Sequence, residues 1–322
     1  MLRGVPENLK IFLLVPLGIV LGLLTAEIML RIFYPCSSFS SARELSHFQR
    51  KDVPPGLYMP DDEIGYRPVF GKGPYTQWGT LTNSYSITKK KGITRLLFIG
   101  DSVTARGKIV NALKNVYGEE CYEYWNAGVE SFNTIQEVLY YIRYNSRIKP
   151  DHVILTFHPN DFETIPVAFY SIDGRLHVFA PNFPSRLINH RLFVNSLLYR
   201  LILGWLYFSK TRLDEIIKET EDALAKLQTV LNRDNINLTV LVLPVLKPPQ
   251  SWDSAEKLTH AQIIDILQRL KIRYFDLLPA LAEPLEKGMK LRESHFDFWH
   301  PDEKAAQIIA HYLYTNGLLQ TK

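Results

Sequence analysis

The sequence predicts an α/β fold in which helices cover both faces of a parallel sheet. Five short, continuous apolar runs have the length and composition of strands that are buried on both faces. Longer segments with helical spacing separate these runs, and this alternation is typical of right-handed strand–helix–strand units. The chain has 322 residues, of which 46% are hydrophobic and 22% are charged, so it can form one large domain with appendages.

The chain begins with an apolar segment. Residues 11–26 carry no charge, and apolar character resumes over residues 28–34. This length is sufficient to cross a hydrocarbon layer of about 30 Å. Arg3 and Lys10 precede the segment, which favours a cytoplasmic N-terminus and places the rest of the chain outside the cytoplasm. We therefore predict that residues 1–34 form a cytoplasmic tip and a single transmembrane signal anchor, with a cleaved signal peptide and a buried core helix as alternatives.

Two charged residues interrupt the apolar segment near its end. Glu27 and Arg31 are four residues apart, a spacing that lets the two charges neutralise each other on a helix near the membrane exit. Beyond them, residues 35–93 are rich in Ser, Pro, Gly and Tyr, and turn-bounded runs such as residues 61–68 predict short strands. We predict a stalk and a small β-rich extension here.

Residues 94–322 form the predicted main domain. Its predicted strands are residues 95–99, 122–126, 152–157, 237–244 and 272–276, and its predicted helices include residues 134–144, 213–231, 254–270 and 302–314. An insertion of about residues 162–212 interrupts the alternation. Its apolar, aromatic part, residues 191–208, predicts a helix that lies over the site or against the membrane surface. A second membrane span is the alternative, but Arg200 lies in the middle of that segment.

Composition argues against several classes of function. The formal net charge is +4 and there is no basic stripe, so we expect no nucleic-acid partner. Cys36 and Cys121 are the two cysteines, which allow either one disulfide or two free thiols. Neither cysteine has a neighbouring ligand at metal-site spacing and the histidines are scattered, so we expect neither a metal nor another cofactor. The sequence gives no prediction of the oligomeric state.

The first candidate for chemistry is Ser102. It follows the first predicted strand through Gly100 and Asp101, and the glycine permits a sharp turn out of the strand. The serine then lies at the start of a helix, where unpaired N–H groups favour negative charge. For the tripeptide alone, an ordinary helix N-cap serine is the simpler interpretation.

A base for this serine is predicted close to the C-terminus. Asp297 and His300 precede the last helix and are separated by two residues, so one tight loop can contain both. The aspartate can hold one imidazole nitrogen while the other nitrogen faces the nucleophile. Three groups that can hold an oxyanion also follow strands: the N–H of Ser102, the N–H of Gly128 and the side-chain amide of Asn160. As isolated residues, Gly128 and Asn160 would be ordinary turn residues.

The order of these residues resembles the SGNH hydrolases, also called the GDSL family of esterases and lipases. Gly100-Asp101-Ser102 resembles block I, Gly128 block II, Asn160-Asp161 block III, and Asp297 to His300 block V. The resemblance extends from about residue 94 to the C-terminus. The chain departs from the family pattern at His158, where block III usually has glycine, and we predict that His158 contacts the substrate.

The resemblance implies a three-layer α/β/α sandwich with a flavodoxin-like parallel sheet and the hydrolysis of ester-linked acyl groups. The N-terminal segment is similar to that of membrane-anchored bacterial members. We expect the substrate to be an ester-bearing small molecule, a glycan with O-acetyl groups or a lipid. Two alternatives remain: an O-acyltransferase that uses the same residues, and a non-catalytic, membrane-tethered module that binds glycans.

Overall fold

The computed structural model describes residues 7–33, 42–45, 48, 53–81, 85–170, 174–181, 188–207 and 213–320. The strands, in chain order, are β1 (Ala42–Glu44), β2 (Tyr58–Asp61), β3 (Gly65–Pro68), β4 (Thr94–Ile99), β5 (Tyr122–Asn126), β6 (His152–Phe157), β7 (Val167–Tyr170), β8 (Leu176–Pro181), β9 (Asn237–Val242) and β10 (Arg273–Asp276). The helices are α1 (Glu7–Phe33), α2 (Ser102–Ala105), α3 (Lys108–Tyr117), α4 (Thr134–Arg143), α5 (His190–Asn195), α6 (Leu197–Tyr207), α7 (Leu213–Arg233), α8 (Ser254–Arg269), α9 (Leu278–Glu286) and α10 (Glu303–Thr315).

A five-stranded parallel sheet forms the centre of the main domain, as the sequence predicts. Its strand order is β10-β9-β6-β4-β5, and all four neighbouring pairs are parallel. Numbered along the chain within this sheet, the order is 2-1-3-4-5, one of the two common orders of doubly wound sheets. Every residue of β6, the central strand, is buried, which explains why its sequence is a continuous apolar run rather than an alternating one.

Helices cover both faces of this sheet. On one face, α3, α9 and α10 contribute apolar side chains to a core that includes Leu113, Leu281 and Ile309. On the other face, α4, α7 and α8 build a second core around residues such as Tyr141 and Leu224. The predicted helices of residues 134–144, 213–231, 254–270 and 302–314 correspond to α4, α7, α8 and α10. Helix α9 was not predicted from the sequence.

The β-rich extension and the insertion share a sheet. Strands β2 and β3 form an antiparallel hairpin in the extension, within the region predicted to contain short strands. Strand β1 of the extension pairs with β8 of the insertion, and β8 pairs with β7, so that the sheet order is β1-β8-β7. The single helix predicted over residues 191–208 is two helices, α5 and α6, which are separated at Ser196.

The N-terminal helix α1 is long and apolar. Within it, Leu14–Phe33 is apolar and long enough to cross a membrane. The most apolar part of this stretch contains no buried residue. Glu27 and Arg31 form the predicted ion pair, with 2.8 Å between Arg31 Nε and Glu27 Oε1. Cys121 is exposed and unpaired, whereas Cys36 and its predicted pairing lie outside the described residues.

Candidate functional site

The turn after β4 places Ser102 at the C-terminal edge of the central sheet. Gly100 follows the strand, and a Cβ there would overlap the side chain of Thr104, so the tight turn requires a glycine. Asp101 caps the short helix α2 by accepting a hydrogen bond from Val103 N at 2.8 Å. Ser102 is the first residue of α2, and its own N–H has no hydrogen-bond acceptor in the described parts of the chain.

The loop before α10 holds Asp297 and His300 in a fixed arrangement. One oxygen of Asp297 accepts hydrogen bonds from Trp299 N at 3.0 Å and from His300 N at 3.1 Å. Its other oxygen lies 2.7 Å from Nδ1 of His300. An isolated bridge between Arg292 and Pro301 closes the base of this loop. The backbone of the loop therefore holds the carboxylate of Asp297, and this carboxylate orients the imidazole ring.

The two segments meet through a short hydrogen bond between side chains. Ser102 Oγ lies 2.7 Å from Nε2 of His300, although the two residues are 198 positions apart in the chain. Because Asp297 accepts at Nδ1, the ring proton belongs on Nδ1 and Nε2 is left to accept from the serine hydroxyl. The structure thus brings the three predicted residues into one continuous chain of hydrogen bonds.

Two carboxyl groups beside the serine have pKa values shifted in opposite directions. Partial burial raises the pKa of Asp297, but hydrogen bonds from Trp299 and His300 outweigh this effect and bring the pKa below its ordinary value. Burial raises the pKa of Asp101 above its ordinary value, although hydrogen bonds from Val103, Asn160 and Ser102 oppose the change. Ser102 Oγ is 3.3 Å from Asp101 Oδ2, farther than from His300.

Asn160 lies beside this group on the turn that follows β6. Its side chain interacts with the carboxylate of Asp101, which also borders Ser102. His158 Nδ1 lies 2.6 Å from Asn160 Oδ1, and because an amide oxygen carries no proton, the imidazole is the donor. Because the amide oxygen of Asn160 is bonded to His158, its NH₂ group is directed towards the carboxylate of Asp101.

His158 is almost completely buried, with 1% of its surface exposed. The ring of Trp299 packs edge-on against it with 4.9 Å between ring centroids. Burial lowers the pKa of His158 to about 3, so the ring is neutral at ordinary pH. This burial gives no support to the predicted direct contact with substrate, since the ring is 1% exposed and contacts Asn160 and Trp299, which are themselves exposed.

Gly128 packs against helix α2, which Ser102 begins, but its N–H group is already engaged. The N–H donates to Asn126 Oδ1 at 2.9 Å in a buried hydrogen bond, so the structure gives no support to the predicted use of this N–H as an oxyanion donor. A Cβ at Gly128 would overlap the backbone of Thr104 and Ala105. The glycine is therefore required for close contact between the loop after β5 and helix α2.

One residue of the same loop was not identified from the sequence. Ser131 has a left-handed backbone conformation, with φ = 60°, and its N–H has no hydrogen-bond partner within the described segments. The loop is held beside the serine turn by a hydrogen bond of 3.0 Å from Val129 N to Gly100 O. No sequence signal distinguishes Ser131, because serine is not the usual residue for this conformation.

Charged and aromatic residues surround the hydrogen-bonded chain. Arg106 forms an ion pair with Glu293 and approaches Asp297 Oδ2 to 3.7 Å. The rings of Phe296 and Trp299 are exposed on the loop itself, Phe296 by 85%. They give the entrance of the site an apolar surface.

Glu293, Asp297 and His300 also have ligand-type atoms within 4.8 Å of one another, the spacing that could hold a metal ion. However, both nitrogens of His300 are already hydrogen-bonded, to Ser102 and to Asp297. Glu293 is likewise engaged, in ion pairs with Arg106 and with Lys108. The possible ligand atoms of these three residues are therefore engaged in hydrogen bonds and ion pairs. Acidic groups at this spacing do not by themselves define a metal site.

The chain matches no protein-family model and no curated protein sequence. Among solved structures, the acetylxylan esterase Axe2 from Geobacillus stearothermophilus is 16% identical, with a TM-score of 0.46 over 71% of this chain and 97% of that chain. LAE5, an alpha/beta hydrolase from the metagenome of Lake Arreo in Spain, is 16% identical, with a TM-score of 0.47 over 71% and 97%. The acetyl xylan esterase AlAXEase is 14% identical, with a TM-score of 0.43 over 69% and 98%. TM-scores below 0.5 do not establish a common fold or activity.

Proposed function

We propose that this protein is a serine esterase of the SGNH type that cleaves ester-linked acyl groups. The observation that carries the proposal is the chain of hydrogen bonds from Ser102 through His300 to Asp297, with 2.7 Å at each step. This arrangement contains a nucleophile, a base and a group that orients the base, which are the parts that acyl transfer through serine requires.

In the proposed mechanism, His300 Nε2 takes the proton of Ser102 as Oγ attacks the ester carbonyl carbon. The tetrahedral intermediate collapses, the bond to the alcohol oxygen breaks, and His300 returns the proton to the departing alcohol. Water then attacks the acyl-serine, with His300 again as the base, and the acid is released. Asp297, whose pKa is below its ordinary value, remains charged and stabilises the imidazolium.

The negative charge that develops on the carbonyl oxygen requires donors that point at it. We assign this role to the N–H of Ser102, which begins α2 without an acceptor among the described residues, and to the second N–H of the Asn160 side-chain amide, since an NH₂ group has two donors and the Asp101 carboxylate takes one. Gly128 is not part of this assignment, since its N–H donates to Asn126.

We also propose that α1 crosses the cell membrane once and that the domain of residues 94–322 lies outside the cytoplasm. The length and exposed apolar surface of α1 support the span. The basic residues Arg3 and Lys10 before the apolar stretch support the orientation.

The test uses the full chain with a fluorophosphonate probe and p-nitrophenyl acetate. The wild-type protein and the control Ser86→Ala, at an exposed serine bonded to Arg95 near the start of β4 and thus at the opposite end of that strand from Ser102, should both become labelled and hydrolyse the ester. Ser102→Ala should lose labelling and hydrolysis. Ester turnover by Ser102→Ala at the wild-type rate would refute the assignment, and absence of labelling in the wild type would favour a non-catalytic module. Adding a polysaccharide acceptor and analysing the products separates hydrolysis from transfer to a hydroxyl group.

A further inference from the structure

The N-terminal helix is attached to the insertion through one partly buried carboxylate. Glu27 of α1 accepts three hydrogen bonds from the start of α6: from Ser196 Oγ at 2.9 Å, from Leu197 N at 3.0 Å and from Leu198 N at 2.9 Å. The carboxylate thereby occupies the N-cap position of α6, although it belongs to a distant part of the chain. We call this set of bonds the Glu27 contact.

A second side chain strengthens the Glu27 contact. Arg31 pairs with Glu27 and donates from Nη2 to Asn195 O at 2.7 Å, so one turn of α1 bonds both the end of α5 and the start of α6. Helices α1 and α6 also pack directly against each other. The position of α6 relative to α1 is therefore fixed by charge-assisted hydrogen bonds.

The Glu27 contact lies at the end of the uncharged part of α1. The 16 uncharged residues 11–26 precede it and span about 24 Å on a helix, against a hydrocarbon thickness of about 30 Å, while the apolar stretch Leu14–Phe33 extends past Glu27. If the uncharged stretch fills the hydrocarbon layer, Glu27 lies where this layer meets the head groups. Helix α6 begins at that level.

Helix α6 has apolar residues on both its inner and its outer side. On the inner side, Leu203 is buried with Phe193 and Phe179 in a small core, and Arg200 is buried with its guanidinium group over the ring of Phe169. On the outer side, apolar residues are exposed to a degree that is unusual for a helix in water: Leu201 by 45%, Ile202 by 43% and Leu206 by 51%. Helix α6 packs against α1, whose own apolar residues are exposed as well.

We infer that α6 lies in the interfacial layer of the bilayer that α1 crosses, with Leu201, Ile202 and Leu206 directed into the lipid. The inference rests on the membrane span assigned to α1 under the proposed function. The occupant of the exposed face is the lipid itself, because α6 is bonded and packed to the end of the uncharged stretch of α1 and its exposed residues are apolar. Interfacial helices bury their apolar side by about 5–10 Å at the boundary of head groups and acyl chains. The insertion thus attaches the domain to the membrane at a second place.

The test places nitroxide spin labels on the full chain in lipid nanodiscs that hold one copy each. Single cysteines replace Leu201 or Leu206 in a background in which Cys36 and Cys121 are serine. Matched controls carry the label at Leu21, exposed on α1, and at Leu258, exposed on α8 of the main domain. Collisional relaxation by oxygen and by a water-soluble nickel chelate gives the depth of each label below the phosphates, and spin-labelled lipid reports direct contact with acyl chains.

We expect the labels at positions 201 and 206 to lie about 5–10 Å below the phosphates and to contact spin-labelled lipid. The label at position 21 should lie deeper, and the label at position 258 should be in water. Labels at 201 and 206 that behave like the one at 258, or that protein shields from both relaxing agents, overturn the inference. If the label at 21 contacts lipid while those at 201 and 206 do not, the membrane span stands and only the inference on α6 fails. A label at 21 in water would refute the span itself.

Discussion

The buried imidazole of His158 gives the sharpest test of how the site is oriented. In His158→Phe, the hydrogen bond of 2.6 Å to Asn160 Oδ1 is lost, while the ring contact with Trp299 can be kept. A neutral hydrogen bond contributes about 0.5–1.5 kcal/mol net. Since about 1.4 kcal/mol corresponds to a tenfold change in rate, loosening the Asn160 amide should lower kcat by about 2- to 13-fold. The decrease in kcat should stay below the roughly 10²- to 10³-fold loss that is typical when an oxyanion donor is removed altogether.

The assay is the steady-state hydrolysis of p-nitrophenyl acetate, with the concentration of competent enzyme counted by fluorophosphonate labelling. We expect kcat to fall and KM to change little, because the amide acts on the transition state. Burial lowers the pKa of His158 to about 3, so its charge is constant at neutral and alkaline pH. The loss should therefore be the same factor throughout that range.

His152→Phe is the matched control. Like His158, His152 is a buried histidine, and its Nε2 lies 2.9 Å from Thr239 Oγ1, but it is the first residue of β6, whereas His158 follows the last. Both substitutions remove a buried imidazole and one hydrogen bond, so each should lower the melting temperature. Only His158→Phe should lower kcat. Equal losses of kcat in the two variants, or none in His158→Phe, would show that His158 does not orient the site.

Three further predictions concern neighbouring groups. Asp297→Asn should lower kcat by about 10²- to 10⁴-fold, because an amide does not stabilise the imidazolium, and a variant that keeps a tenth of the wild-type rate would contradict the role of Asp297. Glu137 is buried, neither carboxylate oxygen has a hydrogen-bond partner among the described residues, and burial raises its pKa well above the ordinary value. Above the ordinary pKa of 4.5 the unfolded chain loses this proton while the folded chain retains it, so the folded state becomes less stable as the pH rises. Glu137→Gln should therefore raise the melting temperature more at about pH 8 than at about pH 5. An equal rise at both pH values would show that Glu137 does not cause this pH dependence of stability. Gly128→Ala should cost about 1–3 kcal/mol in chemical denaturation, because its Cβ overlaps the backbone of Ala105; a wild-type free energy of unfolding would show that this packing can relax.

Much of the fold could be predicted because the relevant signals are local. A continuous apolar run such as β6 indicates a strand buried on both faces, and parallel strands place their C-terminal ends at one edge. That rule places Ser102 and Asn160 at one edge, whereas the meeting of Ser102 with His300 was predicted from the spacing of Asp297 and His300 and from the resemblance to the SGNH hydrolases.

The features that the sequence did not predict depend on partners that are distant in the chain or on competing local bonds. The break between α5 and α6 is stabilised by Glu27, which lies 169 positions before Ser196. The pairing of β1 with β8 joins two segments that each looked independent. Gly128 has the residue type of an oxyanion donor, but the side chain of Asn126, two positions earlier, takes its N–H. Residue types alone do not show with which acceptor a donor forms its hydrogen bond.

The order of the proposed catalytic residues along the chain has a consequence for biosynthesis. The nucleophile is present once the first third of the protein has been made, but its base lies 198 positions later, directly before α10. The core that supports that loop includes Ile309 and Leu313 of α10, so the loop gains its packing only when the last helix is complete. Under the proposed function, a nascent chain that has not yet formed α10 therefore holds a serine without its base, and we expect it not to cleave esters. Ester cleavage would first arise once α10 has packed onto the sheet.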